Sequence, residues 1–477
     1  MSQAHHSRHL PRRLHGAALM VMLVIVVLGI AAVLTGSLSA SARQSARQKN
    51  TAAALAQAKE ALIGYAITYG DSHSAEVHGY LPCPDINGLN VSGNPAEGSA
   101  RASCGLKDVS TIGRLPWRTL GLPALRDGDN ECLWYAVSGS YKNNSKTSLM
   151  NWDTNGKLQV FASDGTLHGP QGNQVVAAIF APGAAQAGQN RSGNSAPLCS
   201  GNYTAANYLD SDTVHTIDNA NIAAEEFMQA HEDRDANGSI ILTVNDQLIF
   251  ITQDDIFHAL ERRNNFLATL KQLTQKVAQC IADFGKKNKI GGVPDTANKS
   301  LPWPAPLSLA DYGDNADYND KNGLYAGRVP YQVDSARLKT GNAIASDYLL
   351  TSSGSNCPDP ASWATLYPWW DNWKDHLFYA LSKDYAPQSA ATTPCGNCVS
   401  VNGMPYAAVV IFTGGKLPAL NQSRADKSTV ADYLEGGNAS NFSAANGSEQ
   451  YQTASASSTF NDVLYCIDQN LAVAVCP

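Results

Sequence analysis

Few residues of this 477-residue chain are of types and spacings that can do chemistry, and they fall in short clusters. "DRDANGSI" from Asp233 reads D-x-D-x-N-G with an aliphatic at position eight, the opening half of a calcium loop. In such a loop Asp233, Asp235 and Asn237 turn oxygens toward a hard cation while Gly238 permits the sharp bend. Position twelve is Val244, where an EF-hand needs a bidentate Glu, so the two readings are a calcium site of another kind and a solvated turn. His231 and Glu232 beside Asp233 could make a small metal or acid–base group but have no second partner, so a surface or core His is the favoured reading. Cys395 and Cys398 form C-x-x-C, a redox signature when it opens a helix after a strand; here it sits between "ATTP" and "VSVNGMP", a loop, which favours a disulfide staple over a redox centre or zinc. Trp363, Trp369, Trp370 and Trp373 crowd one segment. Exposed, Trp369, Trp370 and Trp373 would be a binding platform; buried, they would fill a core. G-x-S-x-G, H-E-x-x-H and G-x-x-x-x-G-K-[ST] are all absent, so three common enzyme classes lack their usual signal and the chain is expected not to be an enzyme.

The length calls for more than one domain, and 44% hydrophobic with 16% charged residues suffices for substantial cores. The formal charge of −7 argues against nucleic acid, which requires a basic surface. All ten Cys lie beyond Ala42, the usage of an oxidising compartment such as a bacterial periplasm. Cys83 and Cys104 enclose a Gly- and Ser-rich loop with little apolar content to order it; a bridge there contributes on the order of 3 kcal/mol in the chain-entropy model. Cys395 with Cys398, Cys466 with Cys476, and Cys132 with Cys199 are the further expected pairs.

These groups must be positioned by elements that begin at an apolar run. No ionisable side chain occurs from Ala17 to Ala42, and a spanning helix needs roughly 20 mainly apolar residues. Ala40-Ser41-Ala42 also fits a signal-peptide cleavage site, which leaves a discarded signal as the alternative. Beyond it, Leu55, Ala58, Leu62, Tyr65 and Tyr69 recur at helical spacing, so one helix from about residue 17 to residue 69 is expected, half in lipid and half under a head. The short basic leader with Arg8, Arg12 and Arg13, ending at Gly16 before the apolar helix, resembles the leader of type IV prepilins and type II secretion pseudopilins. The resemblance implies cleavage by a prepilin peptidase between Gly16 and Ala17, N-methylation, insertion in the inner membrane with the head in the periplasm, and other minor pilins or pseudopilins as partners. Members of that family usually carry Phe after the Gly and Glu at the fifth mature position, where this chain has Ala17 and Val21. The family's Glu pairs with a neighbouring subunit's amino terminus, so its absence here implies a tip or initiating position rather than a shaft.

Internal similarity divides the chain. "LAQAKEALIGYAITYG" has a counterpart in "LKQLTQKVAQCIADFG", where Leu270, Leu273, Val277, Cys280 and Phe284 keep the same spacing. "DGDNECLWYAVSGSY" aligns with "DNWKDHLFYALSKDY", "VVAAIFAPG" from Val175 with "AAVVIFTGG" from Ala407, "NYLD" with "DYLE", and "DQLIF" with "NDVLYC". The expected organisation is a leader (1–16), a transmembrane helix with its extension (17–49), and two modules (50–262 and 263–477). The fold class is α+β, each module a helix packed on a small antiparallel sheet. The second module's helix, beginning near Asp254, is too polar for lipid, and "NASNFSAANGSEQYQTASASS" reads as a loop. "GYLPCPD" and "GRLPWRTLGLPALRDGDNECLWYAVS" resemble the heads of pilin-like secretion and pilus proteins, which implies a structural wall over the helix. Two further expectations are a surface adhesin with a calcium-stapled head and an exported enzyme with a cleaved signal.

Overall fold

The computed structural model describes residues 15–87, 96–168, 175–193, 195–263, 265–287, 289–290, 293–294, 299–333, 349–353, 357–387, 394–443 and 445–477. Side chains are described from residue 41 onward, apart from residues 242, 287, 289–290 and 293–294. Helix α1 runs His15–Ser72. Its Ala- and Gln-rich sequence favours the helix, and Leu55, Ala58, Leu62, Ala66 and Tyr69 form one buried stripe. Residues 41–50 are exposed on every side. The membrane-spanning stretch expected over 17–34 has its side chains outside the described residues, and among the described residues no helix is long and apolar enough to cross a membrane.

The stripe of α1 packs on an antiparallel sheet of four strands in the order Thr111–Arg114, Trp134–Val137, Val175–Ala181, Gln247–Thr252. Polar contacts hold the helix along its length. Arg47 meets Asp129 at 2.9 Å, the Gly128 N–H donates to Thr51 Oγ1, and Lys59 donates to Asp255 and to the Phe250 carbonyl, both at 3.0 Å. Arg263 donates to the Ile67 carbonyl and to Asp71. The chain then forms α2 (Gln253–Glu261), whose start is fixed by a capping box between Thr252 and Asp255, and α3 (Phe266–Lys287). One helix from Asp254 is expected; two form, and at the break between them Arg263 grips the end of α1.

Helix α3 buries Leu270, Leu273, Val277, Cys280 and Phe284 against a second antiparallel sheet of five strands in the order Ala326–Arg328, Leu377–Leu381, Ala408–Phe412, Val463–Ile467, Val473–Val475. One continuous hydrophobic core includes α1, α2, α3 and the helix-facing sides of both sheets. Helix α4 (Pro360–Trp373) adds Trp363, Trp370 and Trp373 to it. Part of the stretch read as a loop forms α5 (Gly436–Ser443), ordered by burial of Phe442 under the far face of the second sheet.

Several contacts recur in both halves. Tyr135 donates to the Pro82 carbonyl at 3.2 Å, and Tyr379 to the Pro302 carbonyl at 3.1 Å. Arg114 reaches the Ser200 and Asn202 carbonyls over the ring of Tyr208; Arg328 reaches those of Asp375 and Lys427 over Tyr433. Beside each, a Gly is required, since a Cβ on Gly113 would stand 2.7 Å from the Asp85 carbonyl oxygen and one on Gly327 2.0 Å from that of Ala305. One aligned block is displaced by a residue. Tyr135 faces Ile179 whereas Tyr379 faces Val410, so Phe180 corresponds to Ile411, not to Phe412. The two Phe residues therefore lie on opposite faces, Phe180 away from the helices and Phe412 toward them.

Each half also buries a carboxyl beneath its last long strand. Asp246 Oδ2 accepts from the Asp210 N–H at 2.6 Å and Asn219 Nδ2 at 3.0 Å, and Asp462 Oδ2 from the Glu435 N–H at 3.2 Å and Asn438 Nδ2 at 3.0 Å. Among the described residues the second oxygen of each has no hydrogen-bond partner. Burial, reinforced by neighbouring Asp210 and Glu435, pushes Asp246 and Asp462 well above the ordinary carboxylate range. A folded-state pKa raised above the unfolded value contributes stability that is complete below about pH 3.9 and is lost as pH rises through the folded value. Asp246→Asn and Asp462→Asn, which mimic the protonated acid, are expected to stabilise the protein at pH 7.5 by on the order of 1 kcal/mol each. The gain should shrink toward pH 4. Melting curves at the two pH values check this, and lower melting temperatures for both variants at pH 7.5 would contradict it.

Candidate functional site

Four side chains from separate segments converge at the margin of the first half. Asp212 and His215 belong to the turn between the short paired strands Ser211–Asp212 and Ile217–Asp218; His231 and Asp233 lie in His231–Arg234, paired with Ile240–Val244. Residues two apart in a strand share a face, which is why His231 and Asp233 point the same way. Asp212 Oδ1 accepts the N–H groups of Val214 and His215 at 2.8 and 3.0 Å. Its Oδ2 lies 2.6 Å from His215 Nδ1 and 3.4 Å from His231 Nε2, which is also 3.4 Å from Asp233 Oδ2. The Asp212 side chain is fully buried and that of His231 is 4% exposed. Burial alone would raise Asp212, but the amides of His215 and Val214 and the His215 imidazole hold its carboxyl below the ordinary range.

Of the two readings of Asp233, Asp235 and Asn237, a calcium site and a turn, the hydrogen bonds here are those of a turn. Asp235 Oδ1 accepts the N–H groups of Asn237 and Ser239 at 2.9 and 2.8 Å, closing the hairpin turn on itself, and Asp233 faces the imidazoles. The D-x-D-x-N spacing is thus divided between a turn and a strand. Sequence reading found His231 and Asp233 but missed Asp212 and His215. A usable signal was present in D-x-x-H at Asp212 and H-x-D at His231, two short pairs joined only by the fold.

A second polar cluster lies where the halves meet. Asp153 accepts from the Tyr433 hydroxyl at 2.6 Å and lies 3.5 Å from Arg424 Nη1, 3.6 Å from Lys427 Nζ and 3.7 Å from His376 Nε2. Asp375 accepts from Lys427 and from Asn151 Nδ2, the latter at 2.8 Å. His376 sits between them, with Nδ1 3.1 Å from Asp375 and Nε2 3.2 Å from Arg424 Nη1. A neutral imidazole donating from Nδ1 and accepting at Nε2 satisfies both contacts, and burial pushes its pKa below the ordinary value. Burial would raise Asp153 and Asp375, yet the surrounding cations hold both below the carboxylate range. Asp153 of the first half thus meets Arg424, Lys427 and Tyr433 of the second, so the cluster ties the halves together. Above it, Trp152 of the first half inserts among Phe266, Trp373 and Phe412.

Five disulfides join Cys83–Cys104, Cys132–Cys199, Cys280–Cys357, Cys395–Cys398 and Cys466–Cys476. Such usage belongs to an extracytoplasmic, oxidising compartment. Cys395–Cys398 lies in a loop before the strand Val399–Val401, a staple by position. The tryptophan platform is corrected: Trp370 and Trp373 are buried in the core, and Trp369, partly buried, packs against it. Helical spacing in α4 turns these indoles inward, where their apolar area is worth more than at the surface. Gly16 and Ala17 lie in the part of α1 whose side chains are outside the described residues. Comparison of the chain with protein-family models, curated proteins and solved structures finds no match.

Proposed function

We propose that the chain is a non-enzymatic, pilin-like minor subunit that arose by tandem duplication of its head. It is held in a bacterial inner membrane by the apolar segment at 17–34, with both halves of the head in the periplasm. The observation that carries this reading is α1, one helix from His15 to Ser72 that leads out of the apolar segment and ends clamped against an antiparallel sheet. The five disulfides support a periplasmic head, and the ion pairs of the inter-half cluster support a structural role. Val21 offers no carboxylate for a repeated subunit contact, and the double head is bulky for a stacked shaft; both favour the tip or initiating complex of a pilus or pseudopilus. The prepilin peptidase and other minor subunits are then its partners.

The expected mature chain begins at N-methylated Ala17. Mass spectrometry of the amino terminus of protein purified from its native membrane checks this. A start at Arg43 would replace the filament reading with that of an exported protein released from its signal.

A further inference from the structure

We propose that Asp212, His215, His231 and Asp233 form a binding site for a divalent transition-metal ion of the zinc type, independent of any role in a filament. Each residue offers one ligand atom, and the four atoms all lie within 4.8 Å of one another. Zinc held tetrahedrally by nitrogen and oxygen at about 2.0–2.1 Å keeps its ligand atoms about 3.3 Å apart. The separations of 3.4 Å from His231 Nε2 to Asp212 and to Asp233 match that spacing and are too long to be good hydrogen bonds, whereas His215 Nδ1 is hydrogen-bonded to Asp212 Oδ2 at 2.6 Å and must give up that bond to join the ion.

The second observation is what the site leaves unmade. His231 Nε2 and Asp233 Oδ2 are buried atoms without a hydrogen-bond partner among the described residues, although both belong to polar groups that normally find one. His231 Nδ1 lies 2.9 Å from the Gln229 carbonyl and so donates to it, which leaves Nε2, facing the two carboxylates, as the ligand atom. An imidazole oriented by a backbone carbonyl on its far nitrogen is the usual arrangement of a metal ligand. Asp212 is oriented likewise, with Oδ1 held by two backbone amides and Oδ2 turned inward.

The donor set selects the metal. Calcium takes six to eight oxygens, whereas two imidazoles with two carboxylates suit zinc, cobalt or nickel. Four protein ligands leave no open position, so the role is structural: the ion ties the 231–244 hairpin to the 211–218 turn. Glu232, on the opposite face of the strand, pairs with Arg234 and takes no part.

The test is equilibrium dialysis of Zn²⁺ against the full chain in detergent, comparing wild type with His231→Gln/Asp233→Asn and with Glu232→Gln. His5, His6, His9 and His15 of the leader can also hold zinc, but they are common to all three proteins, so the difference reads the cluster alone. The expected result is one equivalent fewer for the double variant, or at least 100-fold weaker binding of that equivalent, with Glu232→Gln as wild type. Co²⁺ should give wild type the intense visible absorption of a tetrahedral ion beyond anything seen in the double variant. Should the double variant misfold, Asp233→Asn alone, at a quarter-exposed position, must weaken the same equivalent while keeping the wild-type circular dichroism. Equal zinc equivalents and affinities in wild type and a folded variant would overturn the site.

Discussion

Asp153→Ala is expected to destabilise the protein by about 3–5 kcal/mol, the cost of removing one partner from a buried ion pair. The substitution leaves the Arg424 guanidinium, fully buried, facing an apolar side chain, and takes the acceptor from the Tyr433 hydroxyl. Because Asp153 comes from one half and Arg424, Lys427 and Tyr433 from the other, the loss should concentrate at their junction. Hydrogen exchange should rise in the Asn151–Asn372 contacts before it rises in either sheet. Asp153→Asn, which keeps an acceptor for Tyr433, should lose less. Urea unfolding of the two variants checks the order, and equal midpoints for Asp153→Ala and wild type would contradict it. The same cluster sets an acid limit. His376, held neutral, costs stability as pH falls below about 6.5, where the unfolded imidazole takes a proton. Asp153 and Asp375, held ionised, add their loss below about pH 3.9.

Removal of the Cys280–Cys357 bridge should have an effect of similar size. It closes a separation of 77 residues, for which the chain-entropy model gives about 4.5 kcal/mol, against about 1–2 kcal/mol for the three-residue separation of Cys395–Cys398. Cys280 also stands on the buried face of α3, so the bridge pins that helix to the segment preceding α4. Cys280→Ala/Cys357→Ala should therefore unfold at markedly lower urea than Cys395→Ala/Cys398→Ala, measured under non-reducing conditions. Equal midpoints would show that loop length does not govern these bridges.

The parts of this architecture carried by local periodicity were legible in the sequence. The stripe from Leu55 to Tyr69 and its echo from Leu270 to Phe284 fall on the two packed helices, and the paired blocks "LWYAVS" and "LFYALS" fall on corresponding strands. What depended on tertiary contact was not legible. Matching Phe180 to Phe412 by letter missed a one-residue slip that only cross-strand register reveals. At the break between α2 and α3 Arg263 reaches back to Asp71, nearly two hundred residues away, a contact that no local pattern announces. The bridge between Cys280 and Cys357 was hidden because Cys280 reads equally well as a small core residue, which it also is. Half of the His–Asp cluster was visible at His231 and Asp233; the other half lies across a turn that no local pattern joins to it.

The grip on α1 has a mechanical consequence. From Thr51 to Tyr69 the helix lies along the sheet for about 28 Å, given its rise of 1.5 Å per residue. Its side-chain plugs and the anchors at Thr51 and Lys59 are spread over that length, with Arg47 and Asp71 just beyond its two ends. A pull on the amino-terminal end of α1 would load all of them in parallel, in shear, so that none could be peeled away ahead of the rest. Since Lys59 and Asp71 are anchored to Asp255 and Arg263, the tension would pass through the first half into the connection with the second. The head would bear force as one body, with α1 as its tether.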